Sequence, residues 1–514
     1  MTCLDNSQLH NCRTAQPLVA YKAKDLMRSL CRSSLFLVLL TCNAWSQSTP
    51  SLQDHIRAVE NGLGPPVAVV GEPADRRSLR AEMKRLNVPA VSIAIVHHGR
   101  IEWAKGYGIM RQGGGPVTPD TLFQAASITK SITAMAALHL VEQGKLSLDA
   151  PIQTELKSWT LPQNGLTAQH PVTLRELLSN TAGTSVYGFD GYTSGEPIPT
   201  LKQILNGTKP SNSAPIVVEI APGSEFHYSG GGFTIVQQAM IDSTGKAFPE
   251  IMKTIVLDPI GMHSSTYQQP IEPGRLRNVA FPVDANGSPI PGGPHAYPEM
   301  AAAGLWTTPS DLARWIIEMQ GSLQGKANHV LSSAMTRTML TKASSMPDSP
   351  DTGYGLGVAV LTIGGKPAFT HGGVNAGYQC TYFAYENGDG LVVMTNSDNG
   401  DTLIHEITIS IAHEYGWPDP QEQRAFVTVP LIRQMQFVGK FTAKNDSHFE
   451  ITSAKDNLQL SMNGDQPRPL LTSSPTSFFV TDSTLQMDFE TPDRGVLIIE
   501  QQKVPFERVK GNTH

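Results

Sequence analysis

Beyond residue 46 this chain of 514 residues has a single cysteine, Cys380; the others are Cys3, Cys12, Cys31 and Cys42. A chain trimmed at that point can form no internal disulfide, so packing has to supply its stability. Charged residues make up only 16% of the sequence, no block of like charge occurs, and the formal net charge is −6. That balance argues against a nucleic-acid partner. No apolar run reaches the ~20 residues that cross a bilayer. The G-x-S-x-G elbow, the H-E-x-x-H zinc helix and the G-x-x-x-x-G-K-[ST] phosphate loop are all missing, and the sequence implies no metal and no organic cofactor. His97-His98 reads as a solvated turn, and His405-Glu406 and His413-Glu414 read as surface pairs on a helix.

What is present begins with a leader-like N-terminus. Met27-Arg-Ser-Leu-Cys-Arg32 is a short basic region, Leu35–Leu40 an apolar core, and Ala44-Trp-Ser46 a small-x-small cleavage site before Gln47. Residues 1–26 lack that logic and read as a dispensable extension. Removing residues 1–46 takes away five basic and two acidic residues, leaving 34 against 43 and a net charge of −9. Export to a bacterial periplasm, without stable membrane insertion, is the expectation.

The strongest chemical signal is Phe123-Gln-Ala-Ala-Ser-Ile-Thr-Lys130, an S-x-x-K that opens an apolar helical run. Residues three apart on a helix share a face, so the Lys130 amine can reach the Ser127 hydroxyl. If burial or a neighbouring cation keeps that amine partly neutral, it can take the hydroxyl proton. Ser127 at a helix N-terminus would also offer N–H groups to a developing oxyanion. A second copy, Ser243-Thr-Gly-Lys246, straddles a glycine after an apolar run and reads as a helix end.

Around this motif the pattern predicts a helix near 75–86 and a hairpin of strands Ala90–Val96 and Ile101–Tyr107 turning at His98-Gly99. Helical runs follow at 232–242, 247–256 and 309–320, and the stretch 281–298 reads as a long surface loop. Strands return at Val358–Ile363, Gln379–Tyr385 and Leu391–Thr395, before a helix at Thr402–Tyr415. Strands at both ends of a helical middle predict an α+β fold, one antiparallel sheet flanked by helices. After Trp417-Pro-Asp-Pro420, short alternating strands beyond about residue 430 predict a small β-barrel or sandwich. The domains are accordingly placed at 47–418 and 430–514.

Residues 88–415 resemble the serine β-lactamase and penicillin-binding-protein superfamily, especially its class C-like, D-aminopeptidase-like and esterase-like branch. The resemblance rests on ordered landmarks: the Ser127 motif, Leu140–Asp149, Val172-Thr-Leu-Arg-Glu-Leu-Leu-Ser-Asn-Thr-Ala-Gly183, Ala221-Pro-Gly-Ser-Glu-Phe-His-Tyr-Ser-Gly230, Pro259-Ile-Gly-Met262, Ala303–Trp315 and Thr370-His-Gly-Gly-Val374. It implies that Ser127 is the acylated nucleophile, Lys130 its proton acceptor and Tyr228 a second acid/base group, working as a phenolate beside positive charge. It further implies an oxyanion hole from the N–H groups of Ser127 and Val374, and an edge strand on which His371, Gly372 and Gly373 dock substrate. The C-terminal segment resembles the lipocalin-like domain often appended to this branch.

Two departures bear on substrate. Gly230 stands where the family usually has Asn, and His371 where β-lactamases usually have Lys. A histidine lacks a permanent charge for the antibiotic carboxylate. The expected activity is therefore a secreted serine hydrolase acting on D-amino-acid or peptidoglycan-like peptides, β-lactams or short esters. The alternative is a penicillin-binding sensor or pseudoenzyme that acylates without efficient turnover. Cys380, in an apolar strand, reads as a small buried hydrophobe.

Overall fold

The computed structural model describes residues 50–509 apart from 347–348, 445–446, 465 and 500–501. The proposed signal region and extension, residues 1–46, lie outside the described residues. Eight antiparallel strands form the main sheet: β1 Ala90–His97, β2 Arg100–Gly108, β3 Ser344–Met346, β4 Ser349–Tyr354, β5 Ala359–Ile363, β6 Lys366–Asn375, β7 Tyr378–Tyr385 and β8 Gly390–Thr395. Their order across the sheet is β2-β1-β8-β7-β6-β5-β4-β3, so the N-terminal hairpin adds to the strands that follow residue 343.

The central strands are apolar on both sides because both faces are covered. Along β1, Val91, Ile93 and Ile95 enter one core while Ala90, Ala94 and Val96 enter the other, as the two-residue period of a strand requires. Helices α1 Leu52–Asn61 and α2 Leu79–Arg85 form part of one layer, and α3 Thr129–Glu142, α4 Gly230–Thr244, α5 Met300–Ala303 and α6 Pro309–Leu323 form the other. Helix α7 Gly400–Glu414 completes the first, packing Leu403, Ile407 and Ile411 against Val91 and Val393.

Helix α7 corrects one expectation. Glu406 is not a surface group: it is fully buried and accepts from Arg85 Nη2 of α2 at 2.8 Å. Burial and the neighbouring Glu82 push its carboxyl upward from the usual range. Glu414 does stay near the surface, where it meets His55 Nδ1 at 2.7 Å.

The C-terminal strands close into a barrel: β9 Gly439–Ala443, β10 His448–Ala454, β11 Asn457–Met462, β12 Arg468–Thr472, β13 Ser477–Phe479, β14 Gln486–Thr491, β15 Arg494–Ile499 and β16 Gln502–Arg508. Closure removes the free edges that an eight-stranded open sheet would expose. Its interior is filled by phenylalanines, among them Phe441, Phe449, Phe489 and Phe506, with ring centroids 5.0–5.6 Å apart. The chain from Pro50 onward forms one compact unit. Bonds from Val67 N to the Thr481 carbonyl, and from Arg424 to the carbonyls of Thr484 and Leu485, tie the barrel to the body.

Candidate active site

Ser127 lies in a single 3₁₀ turn, Ala126–Ile128, that runs directly into α3. Ala126 holds φ +47°, a left-handed conformation that costs a residue with a Cβ roughly 1–2 kcal/mol. Packing keeps it there. Strand β6 passes so close that a Cβ on Gly373 would fall 2.2 Å from the Ala125 carbonyl oxygen and 2.8 Å from Cys380 Sγ. Only glycine lets these backbones approach this way.

One helical turn after Ser127, Lys130 brings its Nζ to 3.0 Å from Ser127 Oγ and donates to the Ala302 carbonyl, also at 3.0 Å. Its side chain is only 2% exposed. Helix α5 crosses this face of α3, where Thr133 also bonds the Ala301 carbonyl and Leu305 N donates to Thr129 Oγ1. Burial disfavours the ammonium, and the Lys130 amine is brought down to about 7. The condition set by the sequence, a partly neutral lysine, is therefore met by desolvation. No carboxylate contributes to the shift.

Tyr228 approaches from the opposite side, its ring 5.0 Å from Lys130 Nζ. Burial raises its phenol to about 12, with a hydrogen bond from Ser127 working the other way. The resting side chain is thus a protonated phenol, a different state from the phenolate expected from sequence. Asn180 holds the segment that carries it. Its carbonyl accepts from His227 N at 2.7 Å and its Oδ1 from Ser229 N at 3.1 Å. Ser229 then caps α4, accepting from Gly232 N at 3.0 Å while donating to the Ser185 carbonyl. At position 230 a Cβ would lie 2.9 Å from Phe189 Cε2, so this aromatic ring occupies the space into which a side chain there would begin.

Strand β6 differs in placement from the edge strand expected. It is internal to the sheet, between β5 and β7, yet its pairing with β5 ends at Thr370. Residues 371–375 extend past that partner, which leaves a strand margin unpaired with β5 inside a larger sheet. Gly372 and Val374 are exposed there, whereas His371, Gly373 and Asn375 turn inward. The His371 ring is buried. Its Nδ1 donates to the Gly372 carbonyl at 2.6 Å, leaving Nε2 to accept from Tyr354 Oη at 3.0 Å. Burial, followed by the charge of Lys130, lowers its pKa to about 4, so it is neutral at pH 7. It packs between Tyr354 and Tyr228.

The structure therefore brings Ser127, Lys130, Tyr228 and His371 into one cluster, with Gly373 against the Ser127 turn and Gly372 and Val374 on the margin. Sequence reasoning overlooked Asn180, Tyr354 and the Ala302 carbonyl. Asn180 lies inside the quoted Val172–Gly183 landmark, but nothing local marks it as an anchor for Tyr228. The second S-x-x-K stays inert: Gly245 ends α4 at φ +69° and Lys246 pairs with Glu250. Cys380 is buried, its Sγ against the Ala125 carbonyl at 3.1 Å, and faces Gly373 rather than His371 across the ladder. A nucleophile, an adjacent low-pKa amine and a proton-bearing phenol are the parts needed for acyl transfer.

Comparison with known proteins bears on the family and the fold. The beta-lactamase family model matches residues 76–413. Esterase EstB of Burkholderia gladioli is 32% identical over 193 residues, which cover 36% of this chain and 48% of the esterase. Protein flp of Staphylococcus aureus strain MW2 is 25% identical over 246 residues, 46% of each chain. The chain thus spans about half the length of these curated relatives. The octameric penicillin-binding protein homologue from Pyrococcus abyssi superposes with a TM-score of 0.58 at 22% identity, covering 84% of this chain and 98% of that one. SurE with D-Leu gives a TM-score of 0.52 at 20% identity, over 84% of this chain and 97% of that one. Both structural likenesses concern the fold.

Proposed function

The chain belongs to the beta-lactamase family, and on that premise we propose that it is an exported serine hydrolase working through an acyl-enzyme on Ser127. The observation that carries this reading is the buried Lys130 amine, brought to about 7 and lying 3.0 Å from the Ser127 hydroxyl. As Ser127 Oγ attacks a carbonyl carbon, Lys130 takes its proton. The N–H groups of Ser127 and Val374 receive the oxyanion, a type of contribution usually larger than any other single term. Tyr228 donates its proton to the leaving oxygen or nitrogen, and the lysine proton returns to the phenolate. Water then repeats the sequence in reverse to free the acid and restore Ser127.

The neutral His371 supports a substrate class. A side chain held near 4 offers no cation to a carboxylate at pH 7, so we place uncharged esters and D-amino-acid amides ahead of β-lactams. The similarity to an esterase points the same way. The test combines p-nitrophenyl esters, D-amino-acid p-nitroanilides and a chromogenic cephalosporin with intact-mass detection of an adduct. Steady ester or amide turnover with loss of both signal and adduct in Ser127→Ala is the expected result. A long-lived penicillin adduct without turnover would favour a sensor, a reading motivated by Gly230. Undiminished activity in Ser127→Ala would overturn the assignment.

A further inference from the structure

The far end of the sheet holds a second cluster of donors that the hydrolytic chemistry does not use. Successive residues of a strand point to opposite faces, so a His-His pair normally diverges. Here the β1–β2 ladder shifts register at Ile95/Val96, and His98 takes φ +52° in the turn before Gly99. That left-handed step swings the second imidazole onto the first, with ring centroids 3.8 Å apart. The β7–β8 turn meets this one, Gly99 N donating to the Gly388 carbonyl at 2.7 Å. It delivers Asp389, whose Oδ1 accepts from His97 Nδ1 at 2.8 Å and from His98 N at 3.4 Å, while Oδ2 accepts from Asn387 at 3.2 Å.

We propose that His97, His98 and Asp389 form a binding site for a divalent transition-metal ion of the zinc type. One donor atom from each residue lies within 4.8 Å of the other two, and they are the one such group among the described residues. Zinc bonds of about 2.0–2.1 Å at tetrahedral angles need donors roughly 3.3 Å apart. The His97–Asp389 pair is at 2.8 Å, held by the Nδ1 proton that zinc would displace to solvent as it takes both atoms, and a rotation of the exposed His98 ring closes the remainder. Two imidazoles and a carboxylate, without thiolate, suit Zn²⁺, Cu²⁺ or Ni²⁺ better than Ca²⁺ or Mg²⁺. Asn387 orients the carboxylate from behind, the kind of outer contact that metal sites use. Solvent reaches the fourth position, because His98 also borders a cleft of about 560 Å³ shared with Arg314, Glu318 and His329.

The bound ion would pin two hairpin tips together, away from the hydrolytic centre. Asp389 opens into β8 at the end opposite Met394, the partner of Cys380, so the two sites are separated by five strand residues, about 17 Å. Zinc binding and ester turnover are therefore independent readouts.

The experiment uses the tag-free chain titrated with ZnCl₂ by calorimetry, and with Co²⁺ to read the visible absorption of a low-symmetry site. His98→Asn is the main variant, since asparagine suits the left-handed turn position and removes the ligand; Asp389→Asn is the second. Loss of an outer contact alone costs 10–100-fold in metal affinity, so loss of a ligand is expected to weaken binding by more than about 100-fold. One equivalent of Zn²⁺, a raised melting temperature and a Co²⁺ band, all lost in both variants with ester turnover intact in His98→Asn, is the supporting result. Absence of binding by the parent chain, or binding unchanged in His98→Asn, overturns the proposal.

Discussion

In the proposed mechanism Lys130 takes, at residue scale, the part that an adjacent base takes in serine hydrolases, without a carboxylate partner. The shift comes from lost hydration, so it should appear in the rate. Lys130 must be neutral to accept the Ser127 proton, and neutrality grows as pH rises through its pKa. kcat/KM is therefore expected to climb with pH and inflect once near 7. No second inflection is expected near the ordinary histidine value, because His371 charges only near 4, nor a fall below about pH 10, because Tyr228 keeps its proton to about 12. A pH–rate profile with an ester substrate checks this. Residual activity in Lys130→Ala with the inflection unmoved would transfer the role of base to another group.

At element scale, the site is a meeting of segment ends. The 3₁₀ turn before α3, the cap of α4, the short helix α5 and the overhanging half of β6 each bring one group. The α4 cap is the most revealing joint, because Ser229 ends the segment that places Tyr228. Ser229→Ala removes a buried bond at each side of that segment and is expected to cost about 1 kcal/mol of stability. Since Tyr228 is the neighbouring residue, the same change should lower kcat more than it raises KM. Thermal melts and steady-state kinetics on the single variant separate these effects. A melting shift with unchanged kcat would mean that Asn180 alone positions the tyrosine.

For the whole molecule, the barrel and the sheet-and-helix body have separate cores. The barrel interior is packed with phenylalanine, so it has the energetics of a structural core rather than of a cargo cavity. Phe489→Ala should cost about 3–5 kcal/mol through the cavity it leaves. Catalysis at temperatures well below the transition is expected to be unchanged, because the tethers from Val67 and Arg424 reach the barrel away from Ser127. Calorimetry paired with ester kinetics tests the separation. A matching loss of kcat would assign the barrel a part in shaping the substrate site.

By itself the sequence determined whatever depends on neighbours in the chain. Ser127 and Lys130 share a helical face because they are three residues apart, β1 and β2 alternate because strands do, and Gly245 ends α4 because left-handed backbone favours glycine. The ordered landmarks carried Tyr228, His371 and Gly373 into the site. Tertiary structure decided protonation and burial. Lys130 loses water to Ala302, some 170 residues on, Glu406 is buried by an arginine from α2, and His371 is neutral because Tyr354 and its own strand enclose it. His97 and His98 converge only where a second turn supplies Asp389. Each of these rests on the distance between segments remote in the chain, and a pKa or a ligand set follows that distance, not the local pattern.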